Sequence, residues 1–258
     1  YVPMGSQFEL KGSGSLTIDC YAPAGIGIGN DFDHSYGDIA VDMEGRLEII
    51  SNSVDTLCIG GGYNEDDSEI NLRSGQIRIH MHSHNGLAIG SFNGDALIDI
   101  SDKCKLELTV SGIKVTGIGS CKGIATISSS ADIAISCTGA QAVAIGSLED
   151  GEGSIYIKSG KLMMKMRSAK NSAIGAIKGN MNTRVENADI SIDSEGDEIT
   201  GIGDALGTGN VAIIDSAVTM KILAANPKDI GTGSGDLKIV NSTVSSLINN
   251  KVITHSNI

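Results

Sequence analysis

Apolar residues alternate with polar ones in short runs along the whole chain. Eight times, two apolar residues flank a single, mostly polar residue, as in residues 106–108 and 190–192. A second set of alternating pairs lies a few residues upstream, for example Ile39/Val41 and Ile70/Leu72. Because successive side chains of a strand point to opposite faces, a period of two indicates a β-strand with one buried face. The pattern therefore predicts many short strands.

These strands belong to a repeat that is marked by an Ile-Gly step. The step returns every 27 to 31 residues. The strand nearest to the step, in which two apolar residues flank a single residue, always has its last apolar residue ten positions before the isoleucine. The loop after the step varies in length instead. A period of this size is typical of stacked units, because a single unit buries too little apolar surface to be stable alone. The eight isoleucines are Ile28, Ile59, Ile89, Ile118, Ile145, Ile174, Ile202 and Ile230.

Stacking of the repeats predicts an all-β fold, a single-domain parallel β-helix (β-solenoid) over residues 1–258. We expect about eight coils of 27–31 residues with two to three short strands each, since parallel stacking pairs every backbone with the coils above and below. Ile59, Ile89 and Ile118 should share one inner column, and the variable loops should project into solvent. Residues 1–14 are expected to form a leading segment or partial coil, and residues 245–258 a C-terminal cap or frayed end.

Three segments carry a resemblance to a known repeat family. AGIGIG (24–29), CIGGGYNEDDSEINLRSGQIRI (58–79) and AIGSFNGDALIDISDKCKLELTV (88–110) resemble the glycine-rich A-I-G-G-G repeats of bacterial proteins. Such repeats are common in large surface or secreted proteins of Gram-positive gut bacteria. The resemblance runs from Ser15 to about Val244. It implies a parallel β-solenoid within a bacterial surface or secreted protein, and hence an extracellular or cell-surface location.

Charge and cysteine content narrow the classes of function. The net charge of −12 argues against a nucleic-acid partner, because such sites need clustered lysine and arginine. The five cysteines form no CxxC motif, so we expect buried free thiols rather than disulfides or a zinc site. Free thiols suit a reducing compartment, which keeps a cytoplasmic location open as the alternative. No run approaches the roughly 20 apolar residues of a membrane span.

Acidic residues are concentrated in the variable loops after the first Ile-Gly steps. Stacking would bring equivalent loops to within about 5 Å of one another, where like charges repel unless a cation or water separates them. Carboxylate oxygens suit Ca²⁺, which is therefore the candidate cofactor. A solvated acidic edge that holds no ion is the alternative. The candidate calcium ligands are Asp31, Asp33, Glu65, Asp66 and Asp67.

A second concentration of candidate ligands is the segment HMHSH at residues 80–84. Met81 continues the inward face of its strand, so His80 and His82 should point outward together, and His84 follows them. Three imidazoles on an extended segment are candidate ligands of a transition metal. The alternative is an exposed polar stripe, because no carboxylate or cysteine completes the set locally.

Three hypotheses of function follow. The leading one is a non-catalytic binding or display module, in which a rigid rod of a larger bacterial surface or secreted protein presents loops to a glycan or protein. The second is a β-helix polysaccharide lyase or glycoside hydrolase, with stacked acids such as Asp33 and Asp66 near Arg73 and Arg78. The third is the sensor or scaffold region of an intracellular protein. Aromatic residues make up only 3% of the chain, so aromatic sugar-binding platforms are scarce and catalysis is the less favoured reading.

Overall fold

Equivalent strands of successive repeats pair in parallel along almost the entire chain. The computed structural model describes residues 1–65 and 67–256, and its strands join one sheet that winds into a β-solenoid of about nine turns. The predicted fold class is confirmed, and the number of turns is close to the predicted eight. The additional turn consists of strands that follow the last Ile-Gly step, at Leu237–Val240 and Thr243–Ile248.

The strands are numbered here in chain order. They are β1 (Gln7–Gly12), β2 (Ser15–Cys20), β3 (Ala24–Gly29), β4 (Asp38–Asn52), β5 (Asp55–Gly61), β6 (Glu69–Ser91), β7 (Ala96–Ile100), β8 (Cys104–Ser129), β9 (Asp132–Ile157), β10 (Gly160–Ala176), β11 (Gly179–Glu186), β12 (Ala188–Asp204), β13 (Val211–Ile214), β14 (Ala217–Ile230), β15 (Leu237–Val240), β16 (Thr243–Ile248) and β17 (Lys251–His255).

Several of the predicted short strands are continuous with their neighbours. β6, β8 and β9 span 23, 26 and 26 residues, because pairing with the adjacent coil continues around the corners. In the sequence, turn residues such as Ser74-Gly75 and Ser159-Gly160 separate the two alternating segments of a repeat and predict strand ends there, yet Ser74-Gly75 lies inside β6. The predicted turn at Ser159-Gly160 does separate two strands, since β9 ends at Ile157 and β10 begins at Gly160. Hydrophobic periodicity therefore locates the faces of the solenoid but not every strand end.

The inner columns are formed by the residues that the repeat predicted. Ile59 pairs with Ile89 and Ile89 with Ile118, and all three side chains are fully buried. The residues of the strand pairs form further columns, as Leu47 and Ile77 show. The interior is thus filled by stacked aliphatic side chains, which interdigitate from coil to coil. The cysteines are buried free thiols, as predicted: Cys20, Cys58, Cys104, Cys121 and Cys137.

The glycine of each Ile-Gly step allows the coils to approach one another closely. Gly90 has a φ of 139°, and a Cβ atom built on it would lie 1.7 Å from the carbonyl oxygen of Gly119. Such a φ is essentially restricted to glycine, and the contact leaves no room for a methyl group. The step is therefore a requirement of stacking and not a catalytic motif.

The two ends of the rod differ. At the N-terminus, Phe8 and Leu10 of β1 pair with Ile39 and Val41, so they occupy the predicted strand-pair positions. At the C-terminus, β16 and β17 form an antiparallel hairpin around Asn249 and Asn250, which both have a positive φ. Because nothing in the repeat distinguishes an up strand from a down strand, the sequence predicts no hairpins, and this prediction is wrong for the C-terminal end. The described part of the 245–258 segment is a hairpin cap.

Candidate functional site

A row of side chains lies outside the main core, at the corner where loop length varies. Each member precedes an Ile-Gly isoleucine by two positions, and the strand register stacks the members in successive coils. Leu57, Leu87 and Val143 of this row are buried, although they do not belong to the main core. We call it the outer row: Ile26, Leu57, Leu87, Thr116, Val143, Ser172, Thr200 and Lys228.

A second row flanks the outer row on the loop side. It consists of the third residue after the Ile-Gly isoleucine in the second to the seventh repeat, and backbone hydrogen bonds link the neighbouring coils there. For example, the N–H of Ile177 donates to the carbonyl oxygen of Ser147, the residue before Leu148. The N–H of Ala205 likewise donates to the carbonyl oxygen of Ala176, the residue before Ile177. We call it the covering row: Gly62, Phe92, Cys121, Leu148, Ile177 and Ala205.

In the N-terminal half, the chain fills the space between these two rows with its own side chains. Leu57 and Leu87 pack with Cys121, and Phe32 and Phe92 cover them. The two phenylalanine rings meet edge to face, with centroids 5.1 Å apart. We call this arrangement the N-terminal cluster. The variable loops predicted to project into solvent are thus partly packed against the rod here.

In the C-terminal half, the same space is open. The last three members of the outer row, Ser172, Thr200 and Lys228, are all polar, and the covering row shrinks to Ala205, which leaves a cavity of about 960 Å³. We call this cavity the C-terminal groove. Its apolar lining residues are Leu148, Ile177, Ile199, Ala205, Leu206 and Pro227. Its polar lining includes Gln141, Lys170, Glu198, Thr200, Asn226 and Lys228.

The carboxylates that line the groove are paired with lysines. Glu198 lies 2.9 Å from Lys170, and Glu149 pairs with Lys114 and Lys122. The hydrogen bond from Lys114, with the nearby positive charges, holds the pKa of Glu149 below its usual range despite partial burial. Both acids therefore form ion pairs with lysines.

Lys228 is bound differently. Its Nζ donates to the carbonyl oxygens of Ala205 at 3.0 Å and Asp204 at 3.3 Å. Among the described residues, no carboxylate oxygen lies within 4 Å of it in an ion pair. The ammonium group thus closes one end of the groove and retains capacity to bind an anionic group.

Asp204 anchors the loop beside the groove, and the sequence analysis missed it. Its carboxylate is fully buried and accepts the N–H of Ala176 at 3.1 Å and of Met181 at 2.8 Å. Burial raises its pKa to about 6, although the backbone N–H donors and Lys228 oppose this shift. A signal was present, because the position after Ile-Gly holds small serines in earlier coils, such as Ser91 and Ser120.

The predicted calcium ligands are exposed or engaged with neighbours. Asp31 Oδ1 lies 2.5 Å from His34 Nδ1, and this hydrogen bond lowers the pKa of Asp31 and raises that of His34. Asp33, Glu65 and Asp67 are solvent-exposed, and Asp66 lies outside the described residues. Within residues 1–65 and 67–256, no group of three or more histidine, cysteine or acidic side chains is arranged to hold a metal ion. Calcium binding stays a prediction.

The three histidines lie on the surface, as their positions in the strand predicted. His80 Nε2 is 4.0 Å from Glu48 Oε1, and His82 Nδ1 is 2.9 Å from Ser111 Oγ. His84 is exposed. The structure engages the first two with neighbouring coils instead of with one another, and a transition-metal site there stays a prediction.

The residues suggested for a lyase are also in ion pairs. Arg73 pairs with Glu9 at 3.1 Å, and Arg78 pairs with Glu107 at 3.0 Å. Their guanidinium groups therefore bridge coils. The predicted acid pair of Asp33 and Asp66 includes a residue outside the described part of the chain.

Comparisons of the chain with protein families, with curated proteins and with solved structures each found no match. In the described ranges, no helix has the length and apolar character needed to cross a membrane.

Proposed function

We propose that this chain is a non-catalytic binding or display module, a rigid rod whose variable corner recognises a glycan or a protein. One observation carries the proposal. The inner columns repeat from coil to coil, whereas the outer and covering rows change in size and polarity until a groove opens at one end. A constant scaffold with a variable corner is the arrangement by which solenoid proteins present binding surfaces.

The chemistry of the groove supports binding over catalysis. A glycoside hydrolase needs a carboxylic acid of raised pKa and a second carboxylate across the scissile bond. In the groove, Glu198 is paired with Lys170, and the pKa of Glu149 is lowered. A lowered pKa removes the proton that a general acid must donate.

The resemblance to A-I-G-G-G repeats extends the proposal to the setting of the rod. We propose that the module is part of a larger bacterial surface or secreted protein. The buried free thiols support the alternative, the sensor or scaffold region of a cytoplasmic protein. The domains encoded next to this segment in its gene distinguish the two, since a cell-wall anchor or export signal supports the first.

Loop replacement on a stable rod tests the binding function. Residues 31–35 and 205–210 are each replaced by glycine and serine of equal length, and the variants are applied to glycan and peptide arrays. We expect binding to fall in at least one variant while the rod stays folded, with the unfolding midpoint within a few degrees for the 205–210 variant and lower for the 31–35 variant, which loses Phe32 of the N-terminal cluster. Substituting Thr219 and Lys221 on a flat strand face is the matched control.

The same material tests for catalysis. The chain is incubated with a panel of acidic polysaccharides, with and without Ca²⁺, and the products are assayed for new reducing ends and unsaturated sugars. We expect neither. Their appearance, or binding that depends on the flat strand face alone, contradicts the proposal.

A further inference from the structure

The C-terminal groove is a site whose ligand class can be read from the rest of the chain. We propose that it binds an extended segment of another protein, which inserts one large apolar side chain and places an acidic side chain beside Lys228. This inference rests on the binding function proposed above and names the ligand of one site within it.

The N-terminal cluster shows what kind of group fills this space. Strand register places Leu87 and Thr200 in the same outer row, and Phe92 and Ala205 in the same covering row. Where the covering row carries Phe92, the rows are closed by aromatic rings. Four coils later the row carries Ala205, and the space is open. A large apolar side chain from a partner therefore replaces the one that the chain lacks.

The apolar wall of the groove is exposed in part, since Leu148 and Ile199 are buried whereas Leu206 is not. Leu206 is 77% exposed, which is a large fraction for a leucine, and it stands beside Ile177 at the rim. Apolar side chains in such a concave site gain stability when a ligand removes them from water. This wall fits the inserted side chain.

The polar wall fits the rest of a peptide. Gln141, Lys170, Glu198 and Asn226 stack in one line across neighbouring strands, parallel to the rod axis, at intervals set by the coil spacing. The side-chain amides of Gln141 and Asn226 each offer a donor and an acceptor, which match the N–H and C=O of an extended backbone. Lys228 lies at the end of the groove and attracts a carboxylate, because its own contacts are two carbonyl oxygens.

A glycan fits this lining less well than a peptide. Sugar rings pack their C–H faces on flat aromatic side chains, whereas the apolar lining residues here are branched aliphatic ones, alanine and proline. A peptide needs separate pockets for side chains and backbone, and the two walls supply both.

The test uses the dipeptide N-acetyl-Phe-Asp-amide, titrated into the full chain while the methyl NMR signals of Leu206 and Ile177 are recorded. We expect saturable shifts at these methyl groups, with a dissociation constant on the order of a millimolar for so small a ligand. N-acetyl-Phe-Asn-amide, which lacks the charge, should bind about fivefold more weakly. This difference should disappear in Lys228→Gln.

Two variants test the apolar part. Ala205→Phe should fill the groove as Phe92 fills its own coil, and it should abolish the saturable shifts of Ile177. Leu206→Ser should weaken binding of the dipeptide. This variant changes an exposed side chain and leaves the rod intact, so it tests the groove even where Ala205→Phe perturbs the fold. Leu223→Ser is the matched control, because it removes a leucine that is 49% exposed on β14 and does not line the groove.

Several results overturn the inference. The first is the absence of saturable shifts with the dipeptide, and the second is unchanged binding in both groove variants. The third is saturable binding of maltotetraose or chitotetraose at the same methyl groups. The fourth is a shift of the Leu206 signals with protein concentration in the absence of dipeptide, which would indicate that a second copy of the chain occupies the groove. Array binding that depends on residues 31–35 and not on the groove also overturns it, but it leaves the proposed function standing. Dipeptide binding in a chain that degrades polysaccharides contradicts the proposed function alone.

Discussion

His255 Nε2 lies 2.6 Å from Asp229 Oδ2, and this contact fastens the C-terminal hairpin to the last coil that carries an Ile-Gly step. The position before the Ile-Gly isoleucine is small in the other repeats, for instance Ala88 and Ala144, and Asp229 is the exception. In the inner coils the next coil packs directly on this position; a Cβ on Gly201 would lie 2.4 Å from the carbonyl oxygen of Asp229. The terminal coil instead meets the cap, which brings a histidine to the acid.

Loss of the contact between His255 and Asp229 should destabilise the C-terminal hairpin more than the rest of the rod. Burial acts to raise the pKa of Asp229, but the hydrogen bond from His255, together with those from Ser246 and the N–H of Ile230 and with the charge of His255, outweighs it, so the pKa is lowered. A lowered carboxyl pKa stabilises the folded state above the unfolded pKa of about 3.8, and this contribution is lost as the pH falls through the folded value. We expect His255→Ala to cost about 1–3 kcal/mol.

Hydrogen exchange of the amides in Lys251–His255 measures the effect. At pH 6 these amides should exchange faster in the variant than in the wild type, while those of β8 remain protected. If wild type and variant exchange alike at residues 251–255, the contact does not hold the cap.

The Ile-Gly glycine should be intolerant of alanine only where another coil lies above it. Gly90→Ala adds a methyl group that collides with Gly119, and we expect a loss of more than about 4 kcal/mol. Gly231 occupies the same repeat position with a φ of 112°, but nothing lies within 4 Å of its built Cβ. Gly231→Ala should therefore show the backbone strain alone, about 1–3 kcal/mol. Urea unfolding of both variants gives the comparison, and equal losses would contradict the stacking explanation.

The inner column should reject charge. Ile118 is fully buried, whereas Ile113 on the same strand is 51% exposed. Ile118→Asp places a carboxylate among stacked aliphatic side chains, so we expect a loss of several kcal/mol or failure to fold. Ile113→Asp should change stability by less than about 1 kcal/mol. Thermal unfolding followed by circular dichroism distinguishes them, and a wild-type midpoint for Ile118→Asp would refute the inward placement.

Asp204 should make stability depend on pH in the opposite direction from Asp229. Its folded pKa of about 6 lies above the unfolded value, so the folded state holds the proton more tightly. Its contribution to folding is therefore greatest below about pH 4 and declines as the pH rises toward 6 to 7, by up to roughly 3 kcal/mol.

Asp204→Asn isolates this contribution. The free energy of unfolding is measured in urea from pH 4 to pH 7 for both proteins, and the wild-type value minus the variant value should fall as the pH rises. Because asparagine does not titrate, parallel curves would show that Asp204 is not the group responsible.

Much of the fold could be predicted because each copy of the sequence repeat forms one coil, and the coils stack in the order of the copies. Residues such as Ile89 and Ile118 recur at equal intervals since each occupies the same place in its coil. The continuous strands could not be predicted, because corner residues such as Ser74 pair with a neighbouring coil, here with Asp42 of the preceding one, without following the alternation. The C-terminal hairpin was not predicted for another reason. Asn249 and Asn250 tolerate a positive φ and suit a hairpin turn, but they lie beyond the last copy of the repeat.

The candidate site was harder to predict. The loops were identified as the variable part, yet the sequence does not reveal that Phe32 and Phe92 fold back onto Leu57 and Leu87. Burial there is produced by loop paths that no periodicity encodes. The groove results from the small size of Ala205. This small size becomes informative only when the strand register shows that Ala205 and Phe92 occupy the same row.

The column of glycines has a consequence for how such a rod can change in length. Since Gly90 and Gly119 must meet at one fixed separation, a deletion or insertion of a few residues in the constant interval between strand and Ile-Gly step would misalign every coil beyond it, whereas the loop after the step absorbs such changes, as the 27- to 31-residue spacing shows. A deletion or duplication of one whole repeat keeps all the contacts and changes the rod by a single strand spacing, about 4.8 Å. Length is therefore a quantised property of this architecture, and whole-repeat duplication in the gene is the route by which it can grow.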